Sequence, residues 1–304
     1  MEPFVINYMR WRWFATALSL LLVLASAASL ALRGLELGLD FTGGTLVEVG
    51  FAEPVAVERV RARLVEAGFP DPVVAYFGSD REILVKFKGE AESDAGQRVA
   101  AALARLGGEL EVKRVEFVGP QVGEELRDQG GLGVLVALLA VMLYVSLRFQ
   151  YKFALGAVLA LVHDVLVTLG VFSFFRLEFD LTVLAAVLAV IGYSLNDTII
   201  VYDRIRENFR LIRETSAAAI INESLTQVLV RTVYTSLTTL LVLFSLFFFG
   251  GEAIHNFSLA LIVGIGVGTY SSIYVASSLL LALDIKREDL VPALREGEEF
   301  EGLP

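Results

Sequence analysis

The chain has 304 residues, 56% of them hydrophobic and 20% charged, with a mean hydropathy of +0.66; a soluble chain of this length is less apolar and more charged, so composition excludes an ordinary cytosolic enzyme and points to a polytopic membrane protein. The 35 acidic residues against 25 basic ones give a net charge of -10, which speaks against nucleic acid as a partner because phosphate binding needs a basic surface. With no cysteine and two histidines, a disulfide framework, a thiolate nucleophile, a cysteine-ligated metal and a histidine-rich metal site are also excluded.

After an N-terminal stretch, 1–12, the first uncharged run covers 13–32. It is too long for the apolar region of a signal peptide, and Ala25-Ser26-Ala27 only mimics a cleavage site, so it is expected to be a retained first span. Residues 33–131 have mixed charge and soluble character. Alternation over 45–51 puts Val47, Val49 and Phe51 on one face, and Val57, Val60 and Leu64 recur at helical spacing. A strand at 73–77, a turn at Gly78-Ser79-Asp80 and an alternating strand at 82–87 follow. A helical stripe of Val99, Leu103 and Leu106 then precedes a last alternating run at 112–118. The order β-α-β-β-α-β is that of a ferredoxin-like unit. It holds no nucleophile–base pair and no metal-ligand spacing, and a small binding or docking domain is expected.

Five more uncharged runs follow at 129–147, 153–175, 181–202, 232–251 and 257–283, interrupted only by His163, Asp164 and Asp197. Each can cross a hydrocarbon core of about 30 Å as a helix rising about 1.5 Å per residue. The expected fold class is therefore an α-helical polytopic membrane protein: a first transmembrane helix at 13–32, an α+β domain at 33–131, a five-span bundle at 132–284 and a tail at 285–304. Orientation follows from Lys and Arg in the short connections. Arg10, Arg12, Arg148, Lys152, Arg204, Arg206, Arg210, Arg213, Arg231, Lys286, Arg287 and Arg295 mark one side, against Arg176 alone on the other. Both termini and the link 203–231 are thus expected in the cytoplasm, and the domain outside.

Ionisable groups inside a bilayer are costly and usually functional. Asp164 falls about 18 Å by helical rise from both Lys152 and Arg176, near the midplane, with His163 beside it. Asp197, about 25 Å down its helix, and Arg231, about 30 Å from the outer surface, reach nearly the same depth on consecutive spans. Ser194, one turn from Asp197, and Asn196 add polarity, and Thr235 and Thr238 continue from Arg231 a polar stripe expected to face the bundle. Against these readings stand a headgroup-reaching Asp197, a snorkelling Arg231 and a merely structural Asp164–His163 pair. Gly264, Gly268, Ser272 and Ala276 recur every four residues, a small-residue face for close packing either inside the chain or against a partner.

Several motifs resemble the SecF family: Asp40-Phe41-Thr42-Gly43-Gly44-Thr45 after the first span, Val118-Gly119-Pro120-Gln121-Val122-Gly123 before the second, and His163-Asp164 in the third. So do Ile191-Gly192-Tyr193-Ser194-Leu195-Asn196-Asp197-Thr198 in the fourth and Tyr202-Asp203-Arg204-Ile205-Arg206-Glu207-Asn208 after it. The resemblance runs from end to end. It implies a half-unit of the resistance-nodulation-division (RND) superfamily, in the cell membrane with a periplasmic domain. It also implies pairing with SecD, and work with the SecYEG channel and YajC on preprotein inserted by the ATPase SecA. By the same resemblance Asp197 and Arg231 correspond to residues implicated in proton conduction, with no cofactor and protons as the coupling ion.

On this reading, moving Arg231 toward or away from Asp197 would switch its proton affinity. Each proton supplies about 2.3 kcal/mol per 100 mV, enough to bias a rocking of helices that carries the external domain. Two alternatives remain open, a passive scaffold for the translocon and the half-unit of a small-molecule exporter. The exporter would need a larger insert lined with aromatics. An ATPase is excluded, because no G-x-x-x-x-G-K-[ST] occurs.

Overall fold

The computed structural model describes residues 5–88, 94–106, 110–212 and 215–286, except for the side chains of Arg105 and Glu252. Arg213, Arg287, Arg295 and most of the expected tail 285–304 lie outside the described residues. Six helices are long and apolar enough to cross a membrane. They are α1 (Arg12–Arg33), entered through a 3-10 turn at Tyr8–Trp11; α5 (Pro120–Arg148); α6 (Tyr151–Phe175); α7 (Leu181–Leu211); α8 (Ala217–Phe249); and α9 (His255–Ser271). The last continues through a π-helical turn, Ser272–Ala276, into α10 (Ser277–Ala282).

Two helices are longer than their uncharged runs. The link expected over 203–231 is mostly helix, because α7 continues to Leu211 and α8 begins at Ala217. Hydropathy reports where lipid contact ends, whereas backbone hydrogen bonding continues through good helix formers such as Arg and Glu. Asn208 holds the corner, donating to Ser224 Oγ and Gln227 Oε1 at 2.9 Å each. The N-terminal segment clasps the same region: Asn222 Oδ1 accepts from Met9 N at 2.9 Å and Thr226 Oγ1 from Ile6 N at 3.1 Å. Likewise α5 starts at Pro120, where a missing N–H costs nothing, so residues 120–131 belong to a helix rather than to the insert.

Between α1 and α5 lies the small domain. Its strands are β2 (Gly44–Phe51), β3 (Val73–Phe77), β4 (Ser79–Phe87) and β5 (Leu110–Val118), with helices α3 (Val57–Glu66) and α4 (Ala95–Leu103). The sheet order β3-β4-β2-β5, antiparallel throughout, is that of the expected ferredoxin-like unit. Val47, Val49, Phe51, Val74, Ile83, Val85 and Phe87 bury one sheet face against Val60 and Leu64 of α3 and Val99 and Leu103 of α4. The β3–β4 turn is tighter than expected: β4 starts at Ser79, directly after Gly78 with φ of +76°.

A compact neck joins this domain to the bundle. The two-residue strands β1 (Glu36–Leu37) and β6 (Glu178–Phe179) pair in parallel, and α2 (Leu39–Thr42) follows β1. Gly43 and Gly44 (φ +67° and +135°) turn the chain into β2. A Cβ on Gly43 would lie 2.7 Å from the Pro120 backbone, and one on Gly123 would lie 3.0 Å from the Phe41 carbonyl, so the domain's entrance and exit touch. Lys86 of the sheet pairs with Glu178, and Arg176 with Glu36 at 2.9 Å.

The small-residue stripe packs inside the chain. Gly264 faces Val190, Gly268 faces Ser194, Ser272 Oγ hydrogen-bonds Thr198 Oγ1 at 2.9 Å, and the Ala276 carbonyl accepts from Tyr202 Oη at 3.3 Å. A four-residue ladder on α9 and its π turn thus meets a four-residue ladder on α7.

Candidate functional site

Asp197 is fully buried, and neither of its oxygens has a hydrogen-bond partner among the described residues. Buried carboxyls are normally satisfied, so this one marks an incomplete site. Ser236 and Arg231 of α8 are the neighbours that act on its charge. Ser236 Oγ also lies 2.8 Å from Thr269 Oγ1, a contact in which either hydroxyl can donate, and Thr269 donates as well to the Ile265 carbonyl at 2.8 Å. Ser236 is thus shared between Asp197 and Thr269. Thr232, one turn earlier on the same face of α8, is also buried with an unpartnered hydroxyl.

The other expected site residues divide. Arg231 makes no ion pair with any described residue and is exposed. Thr235 and Thr238 are exposed too, and their hydroxyls bond back to carbonyls of α8 at 2.9–3.1 Å. The stripe Arg231–Thr235–Thr238 therefore does not face this chain's bundle, contrary to the sequence expectation. The buried face of α8 runs through Val228, Thr232, Ser236 and Leu243, offset from the stripe by one residue, or about 100°. Asn196 is likewise exposed. Ser194 is buried but turns from Asp197 to Asp164.

Asp164 forms a second centre. It is fully buried and accepts from Ser194 Oγ at 2.5 Å and Ser271 Oγ at 2.7 Å, and its Oδ1 lies 2.9 Å from His163 Nδ1. A Cβ on Gly268 would lie 3.0 Å from Ser194 Cβ and 3.5 Å from Asp164 Oδ2, so the glycine makes room for the cluster. The sequence reading missed Thr232, Ser236, Thr269 and Ser271. Their signal was a second polar repeat, Thr232 and Ser236, one residue out of phase with the arginine.

The helix carrying Asp197 is tied to the small α+β domain at its N-terminal end. Asp180 caps α7 through Val183 N at 2.8 Å, and Asp40 of α2 accepts from Leu181 N at 3.1 Å. Phe179 N–H-flanking contacts add to this: its carbonyl accepts from Gly38 N at 2.8 Å and its ring stacks on Phe41 at 5.9 Å. The Asp-Phe-Thr-Gly-Gly segment is thus the joint between domain and helix α7.

A family described as protein export membrane protein SecD/SecF, C-terminal, matches residues 98–286, and the SecD/SecF GG motif matches residues 28–55. The chain is 53% identical over 289 residues to protein translocase subunit SecF of Pseudomonas aeruginosa, covering 94% of each chain. It is 50% identical over 305 residues to that of Vibrio alginolyticus, covering 98% of this chain and 97% of the relative. Among solved structures it is similar to SecDF, a translocon-associated membrane protein from Thermus thermophilus, with a TM-score of 0.84 and 41% identity. The similarity covers 93% of this chain and 39% of that one, so the chain spans well under half of the longer protein. Against SecDF in its super-membrane-facing form the TM-score is 0.71 at the same identity and coverage.

Proposed function

The chain belongs to the SecD/SecF family of protein-export membrane proteins, and from that premise we propose that it is the SecF half of a SecD–SecF pair driven by the proton motive force. The pair promotes preprotein movement and release on the outer side of a SecYEG channel after SecA-driven insertion, with YajC as an associate. Its relatives' role as protein translocase subunits and its six apolar helices among the described residues support a multi-pass transport component, and the Lys and Arg of the short connections support cytoplasmic termini. The observation that carries the mechanism is Asp197: a fully buried carboxyl whose oxygens have no hydrogen bond of good geometry among the described residues.

A protonated Asp197 can donate to Ser236, whereas the buried carboxylate has among the described residues at most the Ser236 hydroxyl, which it shares with Thr269. The carboxylate needs a cation, and Arg231 is the one on the neighbouring helix. Arg231 and its threonines face outward, where a second subunit would sit, and docking of SecD is the step that would bring the guanidinium and water to Asp197. Proton loading and release then alternate with the approach of Arg231. The resulting movement of α7 reaches the domain through Asp40, Phe179 and Glu178.

The test is proton-gradient-stimulated export from membrane vesicles. Asp197→Asn and Arg231→Met are expected to abolish the stimulation while the chain still co-purifies with SecD. Full stimulation in Asp197→Asn would refute the relay and favour a passive scaffold.

A further inference from the structure

The Asp197 mechanism leaves one buried ionisable pair unused. Asp164 and His163 lie inside α6, 0% and 5% exposed, where charge is tolerated only with partners. Three side chains converge on the Asp164 carboxyl, two of them hydroxyls from different helices at 2.5 and 2.7 Å, the short range of bonds to an ionised acceptor. His163 places Nδ1 against Oδ1, and its Nε2 is buried with no partner among the described residues. A structural imidazole would use both nitrogens.

We propose that His163 and Asp164 form a second proton-binding site, internal to this chain and separate from Asp197, that loads at His163 Nε2 and adjusts the packing of α7 against α9. In the unloaded state Nδ1–H donates to Asp164 Oδ1, Nε2 is bare, and the pair carries one net negative charge. Loading adds one proton at Nε2, giving an imidazolium–carboxylate pair with no net charge. The serines read the difference, since they solvate a net charge in one state and a neutral pair in the other. Ser194 is on α7 and Ser271 on α9, at the level where Gly268 lets the two helices approach. The other groups around the pair do not supply a competing charge. From α9 comes Tyr270, its ring 6.3 Å from the imidazole and its hydroxyl donating to the Ala15 carbonyl at 2.8 Å. From α1 comes Ser19, bonded to Tyr270 Oη at 3.0 Å. From α7 come Tyr193, whose hydroxyl donates to Thr239 Oγ1 at 3.4 Å, and Asp197, which makes no bond to the site, and α5 brings no charge over 129–147.

Proton binding here stands independently of the relay, and only its effect on export rests on the function proposed above. The chain has two histidines, so the full chain carrying His255→Gln and labelled with 15N-histidine reports His163 alone. Across an acid titration of the folded chain the expected change is from one protonated ring nitrogen to two, and Asp164→Asn is expected to alter that response. A spectrum that stays constant over that titration overturns the site, whatever Asp197 does. In vesicles, His163→Gln is expected to reduce proton-stimulated export about five-fold or more while proton-independent export is retained. Wild-type stimulation in that variant overturns the link to helix packing. Should the variant fail to assemble, Ser271→Ala keeps the titrating pair and removes one reader, and an unchanged titration midpoint with unchanged export would overturn the same link.

Discussion

Asp197 and Asp164 are carboxyls of the same size in adjacent helices, and their surroundings set opposite stability costs. Asp164 has three side-chain partners, whereas among the described residues neither oxygen of Asp197 has a hydrogen bond of good geometry. Asp197→Leu removes at most a contact with Ser236 and relieves a buried, poorly partnered group. It is expected to leave the chain as stable as the wild type or more stable, by about 1 to 3 kcal/mol, in a thermal melt in detergent, while proton-driven export is lost. Asp164→Leu instead strands Ser194, an unpaired donor that costs about 1 to 3 kcal/mol, while Ser271 falls back on the Gly268 carbonyl at 3.1 Å. A lower melting temperature for Asp197→Leu than for Asp164→Leu would contradict this contrast. A residue whose removal stabilises the fold and stops the work is held for function rather than for structure.

The ladder between α7 and α9 is a fit of shapes between elements. A Cβ at Gly264 collides with the Val190 side chain, whereas Gly266 has no atom within 4 Å of such a Cβ. Gly264→Leu is therefore expected to cost about 1 to 3 kcal/mol through overpacking. Gly266→Ala is expected to be neutral or to add about 0.5 to 1 kcal/mol of helix propensity. Equal melting temperatures for the two variants would contradict the ladder. The neck is the second joint between elements. Asp40→Ala removes the acceptor for Leu181 N at the first turn of α7, a loss of about 1 kcal/mol. The larger expected effect is functional: proton-driven export falls while the domain stays folded, because the domain loses its hold on the Asp197 helix. Wild-type export in Asp40→Ala would show that coupling takes another route.

For the whole molecule, the question is whether domain and α7 move as one piece. The chain has no cysteine, so one engineered pair can be oxidised without interference. A Cβ on Gly38 would lie 3.0 Å from Asp180 Cβ, a little closer than the usual disulfide spacing of about 3.5 to 4.5 Å, and Gly38 has an ordinary φ of -68°. The double variant Gly38→Cys with Asp180→Cys gives up the Asp180 cap and is expected to cross-link with export retained, because the paired strands β1 and β6 form a rigid strut. Export lost on oxidation and restored by reductant would place a working hinge inside the neck instead.

The six spans, the ferredoxin-like order of the insert and the resemblance to the SecF family were all legible in the sequence. Lipid exposure and sheet alternation are one-dimensional patterns, written directly as runs of uncharged residues and as every second residue along a strand. The partners of each polar side chain were not legible, because they depend on which helices meet and at what rotation. One residue of phase, about 100°, separates outward-facing Arg231 from buried Thr232. Only the packed bundle turned Ser194 toward Asp164 rather than Asp197, brought Ser236 against Thr269, and placed the small-residue stripe inside the chain. Hydrogen bonds between distant segments are decided by three-dimensional proximity, and the linear spacing of residues does not encode it.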